Sequence, residues 1–164
     1  MRVAIISDIH DNIPLLNKAL AVLDGVDVVL CLGDLCSPFI VKELGLGFDG
    51  PIHVVFGNND GDRFRIAENA RAYSHIEIHG EYLELELDGR RFSINHFDNI
   101  GRAAAEGGGF DVVCYGHSHQ FGIEKSGDTL IINPGEIFGL LTGKSTFVIY
   151  DTESGDAERV DVDE

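Results

Sequence analysis

Short, almost wholly apolar runs alternate with stretches of helical spacing through the first half of the chain. Residues 3–6, 26–32 and 52–56 are rich in Val, Ile and Leu, the pattern of strands buried on both faces. Between the first two, Leu15, Leu16, Ala19, Leu20 and Leu23 recur at helical intervals. Asn12 and Pro14 supply a start and Gly25 a stop, so the spacing predicts a helix over 14–23. A second helix is predicted over 38–44, and a third begins near Asp62. Such alternation is the signature of an α/β layered fold.

The second half changes character. Leu83, Leu85 and Leu87 alternate with Glu84, Glu86 and Asp88, which predicts a strand with one wet face. Asp88-Gly89 then turns the chain into a strand over 90–95, a predicted hairpin. A helix over 103–106, a glycine break at 107–109 and strands over 111–115, 129–132 and 146–150 follow. The acid-rich tail from Asp151 reads as a solvated edge strand or a frayed end. Parallel strands first and antiparallel ones later predict two packed sheets with helices outside. Residues 1–164 read as a single domain, with no linker, repeat or low-complexity segment.

Composition adds constraints. With 44% hydrophobic and 24% charged residues, the chain can bury an ordinary globular core. The 28 acids against 12 bases, formally −16, exclude general nucleic-acid binding and anionic membranes as partners. So dense a negative surface, with few Lys, fits either an ordinary acidic protein or one from a halophilic, high-salt cytoplasm. No run approaches the roughly 20 apolar residues of a membrane span, and no leader is read before Asp8. Three cysteines, an odd number, argue against a disulfide framework. A cytoplasmic location follows as the expectation.

Several predicted strands end in polar, metal-capable residues: Ser7-Asp8-Ile9-His10, Gly33-Asp34, Gly57-Asn58-Asn59-Asp60, Asn95-His96 and Gly116-His117-Ser118-His119. Ligands collect at the carboxyl ends of strands in α/β sheets, so convergence of the five would create a polynuclear metal site. In Asp8-Ile9-His10 and His117-Ser118-His119 one residue separates the two side chains, which on an extended backbone share a side. The two carboxylate oxygens of Asp34 can bridge two cations, Asn58 offers a carbonyl oxygen, and His96, His117 and His119 offer imidazole nitrogens. Nitrogen and oxygen ligands without thiolate suit Mn, Fe, Zn, Ni or Co. Each motif alone is weak, but four of the seven histidines fall within the series. His53, His75 and His79 lie outside it and read as structural or surface groups.

The series resembles that of the calcineurin-like metallophosphoesterases, along nearly the whole chain. Gly57-Asn58-Asn59-Asp60 and Asn133-Pro134-Gly135 are similar to the compact YfcE-type phosphodiesterase branch. The resemblance implies a four-layer α/β fold: a two-sheet β-sandwich flanked by helices. It implies two divalent metal ions, manganese first among the alternatives. Asp8, His10, Asp34 and His119 would hold one, and Asp34, Asn58, His96 and His117 the other. It further implies hydrolysis of a small phosphate-ester substrate, by a water acidified between cations about 3.5–4 Å apart. Two such cations less Asp8 and Asp34 leave the pocket locally positive on an acidic protein.

Two departures matter. Many members carry His where Asn59 stands, so this chain keeps a polar contact for a phosphoryl oxygen but lacks that acid. His96-Phe97-Asp98 replaces a His-Gly-His segment, which alters access to the pocket. The rival from another class is a catalytically silent scaffold, the role of the retromer subunit with this fold, which is marked by eroded histidine ligands. A metallo-β-lactamase is disfavoured because Gln120-Phe121 follows His119, a haloacid-dehalogenase phosphatase because position 10 is His, and a serine hydrolase because G-x-S-x-G is absent. The sequence leaves a homo-oligomer open.

Overall fold

The structure, a computed structural model, describes residues 1–162; the final two acids of the tail lie outside the described residues. The elements are β1 (Arg2–Ile6), α1 (Ile13–Leu20), β2 (Val28–Cys31), α2 (Phe39–Gly47), β3 (Ile52–Val54), α3 (Arg63–Ala70), β4 (Ile76–Ile78), β5 (Tyr82–Leu87), β6 (Arg90–Asn95), α4 (Asp98–Gly107), β7 (Val112–Cys114), β8 (Gly122–Ser126), β9 (Thr129–Asn133), β10 (Thr146–Asp151) and β11 (Ala157–Asp161).

One sheet has the order β11-β10-β1-β2-β3-β4 and the other β5-β6-β7-β9-β8. Three apolar clusters show how they stack. The first joins α1, α2 and α3 to one face of the six-stranded sheet, through Leu16, Leu20, Val41, Leu44 and Ile66 against Ala4, Ile6, Val29 and Val54. The second lies between the sheets, where Val3, Ile5, Leu30 and Val148 meet Phe92, Ile94, Val112 and Ile132. A third packs Ala105 of α4 on Val113 and Ile131, on the far face of the five-stranded sheet. Strand alternation accounts for the division, since Val112 and Cys114 face one way and Val113 the other. The result is the four-layer sandwich expected from the sequence.

Several boundaries differ for local reasons. Helix α1 ends before residue 23 because Val22 and Leu23 bond back to Ala19 and Leu20, tightening the last turn. Helix α2 runs beyond Leu44 through two glycines. A Cβ on Gly45 would lie 2.4 Å from the Tyr73 ring, and one on Gly47 2.5 Å from Leu20, so glycine lets the neighbours approach the helix. Helix α4 starts five residues earlier than the spacing suggested. Asp88 and Gly89, at φ 51° and 78°, make the expected hairpin turn between β5 and β6.

The expected division into a parallel half and an antiparallel half needs correction. In the second sheet β6, β7 and β9 are parallel, and only the edge strands β5 and β8 run antiparallel. Strand β10 returns to the first sheet beside β1, and the tail adds β11 as an edge strand. Strands β4 and β8 had no sequence signal strong enough to expect them. The site depends on one consequence: β1, β2, β3, β6 and β7 all deliver their carboxyl ends to the same rim.

Candidate metal centre

Each of the five strand ends passes into a tight turn, and the turns interlock. A Cβ on Gly33 would sit 2.6 Å from the Gly57 backbone, and one on Gly116 would sit 2.0 Å from Ser7 Oγ and 2.6 Å from Asp8 Oδ2. Only glycine permits these approaches. Asp60, buried beneath them, accepts from the backbone N–H groups of Gly57 (2.7 Å), Asp34 (3.0 Å) and Cys36 (2.9 Å). Asn133 donates to Gly116 O at 3.0 Å and to Ser118 Oγ at 2.9 Å, bracing the turn that carries His117 and His119.

The seven residues singled out as ligands meet in one network. Asp8 Oδ1 lies 3.7 Å from His10 Nε2, 3.3 Å from His119 Nε2 and 4.0 Å from His96 Nε2. Asp34 Oδ2 lies 3.4 Å from His10 Nε2 and 3.3 Å from His96 Nε2. Asn58 Oδ1 is 3.1 Å from His96 Nε2 and 2.9 Å from His117 Nδ1. The convergence is not achieved on extended backbone, as the one-residue spacing suggested. Asp8, His10, Asp34, His117 and His119 all have positive φ, between 44° and 65°. Non-glycine residues seldom adopt that conformation, and it clusters where surrounding structure and function enforce it.

The two oxygens of Asp34 have different neighbours. Its Oδ2 faces both His10 and His96, while Oδ1 accepts the Asn59 N–H at 2.8 Å. Asn59 Nδ2 donates to Oδ2 at 2.8 Å, so Asn59 clamps this carboxylate from outside. Burial opposes ionisation of Asp34, but the adjacent His96 imidazole and the Asn59 hydrogen bonds outweigh it and hold the carboxyl well below its usual range. The neighbouring Asp8 carboxylate raises the His10 pKa, with Asp34 and Glu136 adding to it against burial. Burial would lower that of His96, but Asp34, Asp8 and the Leu32 carbonyl raise it overall.

Neighbours fix the rings. His96 Nδ1 donates to Leu32 O at 2.8 Å, which turns Nε2 toward the pocket. His119 Nδ1 faces Glu136 Oε2 at 2.5 Å, and Glu136 is wholly buried. The other oxygen of Glu136 accepts from Leu141 N, Thr142 N and Thr142 Oγ1. His10 Nδ1 lies 3.4 Å from Cys36 Sγ, a thiol that burial and nearby carboxylates push up to about 12 and so keep protonated. Phe97 packs on both His96 and His117, each at 5.2 Å between ring centres, and walls that side of the pocket. Nothing in the sequence alone assigns a role to Glu136, Asp60 or Asn133; their one signal is a place inside or beside Gly57-Asn58-Asn59-Asp60 and Asn133-Pro134-Gly135.

The donor set fits divalent cations. Asp8 Oδ1 and His10 Nε2 are buried without a hydrogen-bond partner. His96 Nε2, Asn58 Oδ1 and Asp34 Oδ2 turn lone pairs toward one another at 3.1 to 3.3 Å. Lone pairs that meet in this way repel unless protons or cations lie among them. The groups Asp8, His10, His119 and Asp8, Asp34, His96 each place their ligand atoms within 4.8 Å of one another. A cavity of about 260 Å³ opens beside His119, lined by Gln120, Phe121, Thr142, Lys144, Thr146 and Arg159. No helix among the described residues is long and apolar enough to cross a membrane.

Comparison with known proteins gives the arrangement a context. The calcineurin-like phosphoesterase superfamily domain matches residues 1–155. A phosphodiesterase of Methanocaldococcus jannaschii is 36% identical over 157 residues, covering 93% of this chain and 94% of its own. A solved archaeal phosphodiesterase superposes with a TM-score of 0.92 at 34% identity, over 98% of this chain and 99% of its own. The phosphoesterase YfcE of E. coli shares the fold, with a TM-score of 0.72 at 19% identity over 99% and 100% of the two chains.

Proposed function

The chain belongs to the calcineurin-like phosphoesterase superfamily, and on that premise we propose that it is a phosphodiesterase working with two divalent cations. Asp8, His10, Asp34 and His119 would hold one cation, and Asp34, Asn58, His96 and His117 the other, with Asp34 common to both. The unpartnered lone pairs of Asp8 and His10, facing those of the other ligands, carry this reading. Bound there, the cations supply Lewis-acid activation of water and neutralise phosphoryl charge. Imidazole, carboxylate and amide donors favour manganese, with nickel, zinc, iron or cobalt as alternatives.

The chain's own groups then divide the work. Asn59 holds Asp34 at both oxygens, and its amide stands at the pocket mouth, where it can also meet a phosphoryl oxygen. Phe97 limits access from one side. The cavity beside His119 offers room for an ester substituent, and Lys144 and Arg159 give it cationic lining on an acidic protein. The phosphodiesterase relative supports a diester, and the lack of a histidine at position 59 favours substrates needing little protonation of the leaving group. The reading takes residues 1–164 as a single working domain in the cytoplasm, consistent with three free cysteines. A silent scaffold is disfavoured because every ligand type survives and the ligands converge.

A screen of phosphodiesters and monoesters with chelator-treated protein, reloaded with manganese, nickel or zinc, tests the reading. Metal-dependent cleavage of diesters is expected; absence of cleavage with every metal would overturn it. Glu136→Gln is expected to weaken cation binding by about 10–100-fold, the usual cost of losing the partner that orients a metal-bound histidine. Calorimetric titration measures this, and unchanged affinity would reduce Glu136 to a support for the 139–144 loop. The net charge of −16 leads to a further proposal, that screening salt stabilises the fold. Melting temperature should rise from dilute to multimolar KCl, and a flat profile would remove the halophilic reading alone.

A further inference from the structure

His53, Glu77 and His79 share no motif in the sequence, yet the first sheet assembles them. His53 of β3 stands in parallel register with Glu77 of β4, and His79 follows two residues later. Residues two apart and register partners share a sheet face, so all three project from one side. That side is the one Leu30, the other register partner of His53, presents toward the second sheet. Because β4 is the edge strand, the three lie at the open flank of the sandwich, with β3 and β2 between β4 and the strand that carries Asp8.

Their ligand atoms surround one point. His53 Nδ1 lies 3.0 Å from His79 Nε2, and Glu77 Oε2 lies 3.9 Å from the first and 3.6 Å from the second. The two imidazoles are only 18% and 21% exposed, whereas Glu77 reaches solvent at 64%. One shared N–H can satisfy the facing ring nitrogens. It leaves the carboxylate beyond hydrogen-bond distance of both rings.

We propose that His53, Glu77 and His79 form a second, structural cation site of the zinc class, separate from the phosphoesterase pocket. Two imidazole nitrogens and one carboxylate oxygen are a ligand set for zinc, nickel, cobalt or copper rather than magnesium or calcium. Solvent beside Glu77 supplies the fourth ligand as water. Such a cation fastens the three-residue edge strand β4 to β3, shortly before the turn that carries Asn58 and Asn59. The rigidity of two hydrogen-bonded strands sets the ligands in advance, and His79 N–H already donates to Val54 O at 2.9 Å.

Elemental analysis after equilibrium dialysis against micromolar zinc compares wild type with His53→Gln/His79→Gln and with Glu77→Gln. Wild type is expected to hold one zinc per chain more than the double variant. Glu77→Gln is expected to hold that zinc more weakly, with a smaller zinc-dependent rise in melting temperature. Because the readout is a difference between proteins with the same pocket, it stands whether or not the pocket takes two cations. Circular dichroism checks the double variant; should it fail to fold, the exposed Glu77→Gln and the single His79→Gln carry the comparison. Equal zinc content, or extra zinc in wild type only at millimolar concentration, overturns the proposal.

Discussion

Asp34→Asn is expected to lose at least about 10³-fold in phosphodiester turnover, the scale of removing several kcal/mol of electrostatic stabilisation from a transition state. Asp34 Oδ2 is the atom that faces both His10 and His96, so the substitution removes the charge shared by the two proposed cation positions. Mutual repulsion of the cations then goes unscreened, and the weaker position empties. The amide also places an N–H₂ group opposite Asn59 or the histidines, where an acceptor is needed. Loss of one bound metal per chain should accompany the loss of turnover. The fold should survive, because the Asp60 contacts that tie the turns reach backbone N–H groups and not the Asp34 side chain. Metal analysis, circular dichroism and a diester assay on one preparation decide the matter. Retention of both metals and of substantial activity would refute the shared role of Asp34.

Removing the divalent cations with a chelator is expected to abolish turnover and to leave a pocket stabilised by acid. In the cation-free protein His10 and His96 are raised above 6.5 by Asp8 and Asp34. A raised folded-state pKa adds stability that is complete below the unfolded value and lost as pH rises through the folded one. Cations bind only the deprotonated rings, so their uptake releases protons and strengthens in the opposite direction. Hence the rise in melting temperature on adding manganese should be small at about pH 6 and larger at about pH 8. The stripped protein alone should lose stability over the same interval. A manganese effect that shrinks as pH rises would contradict the assignment of these histidines.

The ligands were legible because their chemistry restricts residue type, and because each stands directly after an apolar strand. Their supports were not. Glu136 acts on His119 across 17 positions and Asp60 on the Asp34 turn across 26, so neither contact shows as a local pattern, although Asp60 itself closes a strand-end motif. The same limit hid the pairing of His53 with His79. It depends on the register of β4, whose three residues, Ile-Glu-Ile, are too few for a periodic signal. Spacing also misled where backbone conformation decides. Asp8 and His10 share the pocket through positive φ at both positions, not through the alternation of a strand. At the level of fold, the α/β order of the first half was readable from burial on both faces. The parallel core of the second sheet was not, since β7 has only three residues and glycines separate it from α4.

The central claim, two cations in one rim pocket, is tested most directly by anomalous diffraction from crystals of the manganese-loaded protein. Two manganese peaks are expected: one among Asp8, His10, Asp34 and His119, the other among Asp34, Asn58, His96 and His117. Asp34 should lie within coordination distance of both, about 2.0–2.2 Å for carboxylate oxygen on a divalent metal such as zinc. A single peak in the fully loaded protein, or two peaks of which only one contacts Asp34, would contradict it.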